Sequence, residues 1–204
     1  MGGINGLRRM FGAAAFFAIC GLTTAQAGPE LFMATGGLTS QPIGHYEFCK
    51  RKPAECDIRP EQAGPIALTD EVWEAVTRVN LTVNEAVTAL SDQENYGQVE
   101  YWSYPDHGYG DCEDHALEKR RTLKRMGFSL SNLLITVVRM KNGEGHAVLT
   151  VRTDQGDFVL DNLNDEVKLW SRTNYRFLKR QSSEHTGRWV SLRDDEAPLV
   201  SALR

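Results

Sequence analysis

GDCEDHALEKRRTLKRMG, Gly110 to Gly127, is the stretch on which the fold turns. Asp111 stands where a helix cap belongs, Glu113 and Asp114 fall in the first turn, Lys124 and Arg125 in the last, and Gly127 just beyond. Acid at the positive end of a helix dipole, base at the negative end and a closing glycine mark the two ends of an α-helix. The spacing therefore predicts a helix over residues 111–126. Downstream the hydrophobic period changes to two. Leu133 to Met140, His146 to Thr153 and Phe158 to Leu160 read as strands, with turn signals at Asn142-Gly143 and Gln155-Gly156. Tyr175 to Arg180 and Trp189 to Leu192 add two more.

Upstream, Val72, Trp73, Val76, Val79, Val83, Ala86, Val87 and Leu90 recur at steps of three and four, the stripe of an amphipathic helix with Thr69 as its cap. Tyr101 to Gly110 is a loop carrying Tyr101, Trp102, Tyr104 and Tyr109. Trp102, Tyr104 and Tyr109 either line a cleft or pack beneath the loop. Gly28 to Pro65, rich in Gly and Pro, reads as an extended lead-in. Helices first and an antiparallel sheet afterwards define the α+β class.

The start of the chain has a different purpose. Arg8 and Arg9 precede an apolar run from Met10 to Leu22, and Ala25-Gln26-Ala27 supplies the small-x-small pattern of a cleavage site. The run falls short of the ~20 residues that span a bilayer. Residues 1–27 are expected to be a signal peptide and residues 28–204 a single domain in the periplasm or secreted, with no stable membrane insertion. Arg8-Arg9-Met10-Phe11 is a partial match to a twin-arginine signal. Ile19 before Cys20 is too bulky for a lipoprotein site. Removing 27 of the 204 residues takes away two arginines and no acid, which moves the net charge from −4 to −6. An acidic mature chain does not favour nucleic acid as a partner.

Of the four cysteines, Cys49, Cys56 and Cys112 remain after cleavage. Export means an oxidising compartment, and Cys49 and Cys56 are close enough in sequence for a disulfide; two unpaired thiols are the alternative. Cys112 is the odd one. At the first turn of a helix, free backbone N–H groups and the dipole favour thiolate over thiol, and the same N–H groups suit an oxyanion. Asp111, Glu113 and Asp114 push the other way, so a cation or imidazolium has to outweigh them. His146, after Gly143-Glu144-Gly145, is a candidate base, with His45, His107, His115 and His185 as rivals. Asp161 is a candidate for orienting the imidazole. A two-residue turn at Gln155-Gly156 would set Asp161 opposite Thr150, ~13 Å along the strand from His146.

Gly44-His45-Tyr46-Glu47-Phe48-Cys49, Gly110-Asp111-Cys112-Glu113-Asp114, Gly143-Glu144-Gly145-His146-Ala147-Val148-Leu149-Thr150 and Phe158-Val159-Leu160-Asp161-Asn162 occur in that order. Together they resemble the bacterial transglutaminase-like cysteine peptidases over about Gly44 to Leu192. The resemblance implies a papain-like, transglutaminase-like core, with the cysteine helix packed on an antiparallel sheet, and a triad of Cys112, His146 and Asp161. One branch of that family looks like periplasmic proteases that process surface adhesins and need calcium. It implies an exported or surface protein as substrate and Ca²⁺ at Asp111 and Glu113, although helix capping competes for Asp111. No cofactor is required for the chemistry itself. Two other readings stay open: a transamidase or acyltransferase on the same triad, and a non-catalytic module that binds calcium or a partner. The sequence leaves oligomeric state open.

Overall fold

The computed structural model describes residues 1–2, 30–61 and 64–193. The signal-peptide reading of residues 1–27 falls almost entirely outside them. Among the described residues, no helix is long and apolar enough to cross a membrane.

From Glu30 onward the described residues begin with strand β1 (Thr35–Thr39), short helices α1 (Ile43–Arg51) and α2 (Pro53–Cys56), and the long helix α3 (Asp70–Ala86). Thr69 accepts from the Val72 amide and so caps α3 as its sequence predicts. Next come β2 (Thr88–Ala89), α4 (Asp92–Tyr96), β3 (Tyr109–Gly110) and α5 (Cys112–Arg125). The remainder is sheet: β4 (Leu133–Arg139), β5 (Gly145–Thr153), β6 (Gly156–Asp161), β7 (Asn164–Leu169), β8 (Arg176–Ser182) and β9 (His185–Leu192). Seven of these strands form one antiparallel sheet in the order β1-β9-β8-β4-β5-β6-β7, and β2 pairs with β3 separately. The α+β reading holds.

Period-two alternation divides the sheet's side chains between two faces. Leu133, Ile135, Leu149, Val151 and Leu160 bury against Leu117 and Leu123 of α5 and Val76, Val79 and Val83 of α3. The opposite face carries a smaller cluster of Val138, Val148, Val159 and Phe177, closed by Met33. Met33 is tied down because its amide donates to Asp157, which also pairs with Arg180.

Two readings need correction. Gly28 to Pro65 is not merely an extended lead-in: it contains β1, α1 and α2, held by partners far along the chain. Strand β1 pairs with β9, and His45 of α1 accepts from the Trp189 indole. Cys49 and Cys56 are joined by a disulfide, with Cα atoms 5.5 Å apart. The turn after β5 is also displaced. Thr153 pairs with Gly156, so the turn is Asp154-Gln155, and Gly156 is the first residue of β6. Glycine is required there because φ is +138° and a Cβ would lie 2.6 Å from Leu169 Cδ1 and 2.8 Å from the Leu31 carbonyl oxygen.

Leu149 is fully buried at the centre of the helix-facing core. Leu149→Ala is expected to cost about 2–5 kcal/mol in urea unfolding. A loss below about 1 kcal/mol would show that the helices are not seated on this face.

Candidate active site

Helix α5 starts where the chain leaves β3. Gly110 allows this approach, since a Cβ there would lie 2.6 Å from Cβ of Asp114. Asp111 occupies the N-cap position but makes no side-chain cap bond, so capping does not account for it. Cys112 is the first helical residue and the free cysteine among the described residues. Its thiol donates to Glu113 Oε2 at 3.1 Å. Burial, followed by the charge and hydrogen bond of Glu113 and the charge of Asp111, raises its pKa well above the usual thiol value. The Ala147 amide, at the start of β5, acts on the same sulfur in the opposite direction. The low thiol pKa expected from the helix terminus is therefore not met by the chain alone. Burial and two carboxylates outweigh the dipole.

Those carboxylates belong to a larger group. Asp92, Asp111 and Asp114 each offer an oxygen within 4.8 Å of the others, and Asp111, Cys112 and Glu113 form an overlapping cluster. Burial is the first cause raising the pKa of Asp111, Glu113 and Asp92, and the charge of Asp111 adds to it at Glu113. Asp114 accepts from the amide of Ser103 at 2.6 Å and from its hydroxyl at 3.3 Å. Oδ1 of Asp92 and Oδ1 of Asp111 are buried with no hydrogen-bond partner among the described residues. Hard oxygens converging with unsatisfied lone pairs fit a calcium ion, which takes six to eight such ligands. Asp92 and Asp114 join the two residues read from the sequence.

On the sheet, His146 Nε2 lies 2.8 Å from Asp161 Oδ1, and both residues are buried. An ionised carboxylate only accepts, so Nε2 donates to it, and in the neutral tautomer this selects, Nδ1 is the accepting nitrogen. The corrected turn accounts for this contact. Leu149 pairs with Leu160, so Asp161 continues opposite the position of Val148, two residues from His146 on the same face. A diagonal of ~7 Å is within side-chain reach. The turn that follows Asp161 is fixed from α3, where Asn84 donates to the Asp161 carbonyl at 2.9 Å and to Asp165 Oδ1 at 2.8 Å. Burial acts to raise the Asp161 pKa, but hydrogen bonds from His146, Tyr175 and the Leu163 amide hold it below the ordinary carboxylate value.

The rival histidines are engaged elsewhere. His45 is buried between Trp189 and Gln181 beside the disulfide, and burial lowers its pKa to about 3. Both ring nitrogens of His115 face backbone carbonyls, of Asp111 and Val87. His107 bonds Asn95 and Tyr96, and His185 lies near Asp57. Of the loop aromatics, Trp102 is buried against His45 and Trp189, and Tyr104 packs on Phe48 beneath Arg121. Tyr109 remains exposed. The sequence reading missed Asp92 and Tyr175 as site residues, and it placed Asp114 beside the thiol without naming it with Asp111 and Glu113 as a metal ligand of the enzyme. Asp92 had a local signal, the Ser91–Glu94 capping box that positions α4. Tyr175 had none.

A cysteine at a helix start over an antiparallel sheet, with a buried histidine–aspartate pair on neighbouring strands, defines a papain-like thiol hydrolase arrangement. The chain belongs to the bacterial transglutaminase-like cysteine proteinase family (BTLCP), whose profile matches residues 35–197. It is a cysteine peptidase of transglutaminase-like type. Solved structures of Legionella pneumophila LapG are similar to it. The calcium-bound form aligns with a TM-score of 0.51 at 24% identity, covering 63% of this chain and 75% of that one. A second LapG structure aligns at 0.50 and 26% identity, covering 61% and 70%. The EGTA-treated form aligns at 0.50 and 24%, covering 62% and 74%. No curated protein gave a significant match.

The carboxylate cluster leaves a pH signature. Burial, opposed by the Ser103 amide and reinforced by Asp111 and Asp92, pushes Asp114 up to about 8. The folded chain then holds a proton that the unfolded chain, with an Asp pKa of about 3.9, releases. Stability therefore falls as pH rises from about 4 through about 8. In chelator-treated protein, Tm of wild type measured relative to Asp114→Asn should drop between about pH 5 and about pH 8. The difference cancels His45 and His115, whose lowered pKa values add stability as pH rises toward about 6.5 in both proteins. A difference that climbs over this range would contradict the cluster's electrostatics.

Proposed function

We propose that this chain is an exported peptidase that hydrolyses a protein amide bond through a thioester acyl-enzyme, with Cys112 as nucleophile, His146 as base and Asp161 orienting the imidazole. The observation that carries the reading is the buried His146–Asp161 hydrogen bond, one residue along β5 from the amide that acts on the Cys112 sulfur. His146 Nδ1 takes the thiol proton as sulfur bonds to the carbonyl carbon. The electron pair moves onto the carbonyl oxygen, where free N–H groups at the start of α5 suit the developing charge. The tetrahedral species collapses, the C–N bond breaks, and the imidazolium gives its proton to the departing amine. Water then attacks the thioester, again with His146 as base, which releases the carboxylic acid and restores the thiol.

Asp92, Asp111, Glu113 and Asp114 are the residues that would hold a calcium ion. Bound there, the ion supplies positive charge that offsets the carboxylates opposing a thiolate. The two LapG structures described as calcium-bound and EGTA-treated support testing this in the present chain. The amino-terminal signal pattern supports a periplasmic or secreted location, and the family resemblance favours an exported or surface protein as substrate, an adhesin among them.

Mapping new N-termini after incubation with an exported-protein extract tests the peptidase assignment. Cys112→Ala should abolish all cleavage while leaving Tm within a few degrees of wild type. Residual cleavage by that variant would overturn the nucleophile. For the metal, Ca²⁺ should raise Tm and EGTA reverse the rise, and Asp111→Asn should remove the response. Indifference of Tm and cleavage to both would remove calcium from the account.

A further inference from the structure

We propose that Tyr175 is a positioning residue of this site: its phenol hydroxyl fixes the rotation of the Asp161 carboxylate so that the opposite oxygen faces His146. The proposal rests on the assignment of His146 and Asp161 above. Tyr175 donates to Asp161 Oδ2 at 2.5 Å, while His146 Nε2 and the Leu163 amide donate to Oδ1 at 2.8 and 3.0 Å. Two donors on one oxygen leave the carboxyl free to pivot about that oxygen. A third donor on the other oxygen sets its plane. The same tyrosine ring packs edge-on against the imidazole, with centroids 5.5 Å apart, which restricts the second partner as well.

The topology delivers the residue there. In the strand order, β4, β5 and β6 lie between β8 and β7, so the connection from Leu169 to Arg176 has to cross three strands. Thr173 anchors that connection by bonding the Trp170 carbonyl through both its amide and its hydroxyl. Tyr175 arrives at its end, over strands whose sequence positions are 14 and 29 residues earlier. The phenol remains protonated, because burial and the hydrogen bond and charge of Asp161 all raise its pKa. Other charges acting around Asp161 are Lys119 from α5 and, through Lys119, Asp165 from β7. Among the described residues Lys119 Nζ has no hydrogen-bond partner, and His146 and Tyr175 are the side chains that supply the donors setting the carboxylate's orientation.

Tyr175→Phe keeps the ring and its packing and removes only the donor. The probe is a peptidyl acyloxymethyl ketone, whose inactivation kinetics separate reaction rate from binding. The maximal inactivation rate of Tyr175→Phe should fall about tenfold, the equivalent of about 1.4 kcal/mol, with half-saturation unchanged. In Cys112→Ala protein, the hydrogen-bonded His146 Nε2 proton should give a low-field NMR signal that Tyr175→Phe weakens or shifts. A wild-type rate together with an unmoved proton signal would overturn the proposal. His146→Ala and Asp161→Asn keep the two levels apart. Full reactivity in both would sink the triad assignment itself, whereas loss in both beside an unaffected Tyr175→Phe would sink only the role of Tyr175.

Discussion

The seating of one helix on three strands governs the rest of this structure. Leu117 and Leu123 of α5 pack into the face formed by Leu133, Ile135, Leu149 and Leu160, and that contact determines where the helix begins. Its first residue, Cys112, is thereby brought beside the first residues of β5, where the Ala147 amide reaches the sulfur. Gly110 is the local concession, because any side chain there would collide with Asp114. Helix α3 completes the frame by packing on α5 and by holding the β6–β7 turn through Asn80 and Asn84. The aspartate at the end of β6 is thus fixed from its backbone as well as from its side chain.

The electrostatics of the helix start run against a nucleophile. A helix dipole and unpaired amides favour an anion there, yet the space is crowded with carboxyls whose pKa values are raised first by burial and further by one another's charge. The thiol donates to one of these groups instead of losing its proton. Nature rarely buries unpaired acidic oxygens without a counter-charge, and Oδ1 of Asp92 and of Asp111 is in that condition. Asp92, Asp111 and Asp114 are thus placed to hold a cation that would offset this charge. The histidine–aspartate pair, by contrast, is complete within the chain.

The sequence revealed what depends on local pattern. Thr69, the α3 stripe, the termini of α5 and the alternating strands were legible because each signal lies within a few residues of its effect. The elements before Pro65 were not, since α1 and β1 are held by Trp189 and β9 at the other end of the chain. Strand β7 begins with the polar Asn164-Asp165-Glu166, and its alternation is confined to Val167 and Leu169 around Lys168, too short a run to mark a strand. Gly156 misled for a physical reason. A glycine usually marks the turn, but here it serves the close approach of Leu31 and Leu169, and the resulting register brings Asp161 within reach of His146. Asp111 and Glu113 were visible through the family pattern. Asp92 and Tyr175 reach the site only through tertiary folding.

The central claim is that the Cys112 sulfur becomes acylated with His146 as its proton acceptor. Acid-quenched mass spectrometry after mixing calcium-loaded protein with p-nitrophenyl acetate tests it directly. The account predicts a transient acetyl group mapped to Cys112, which accumulates in wild type and is absent from His146→Ala. An acetyl group on another residue, or one formed at the same rate without the imidazole, would contradict it.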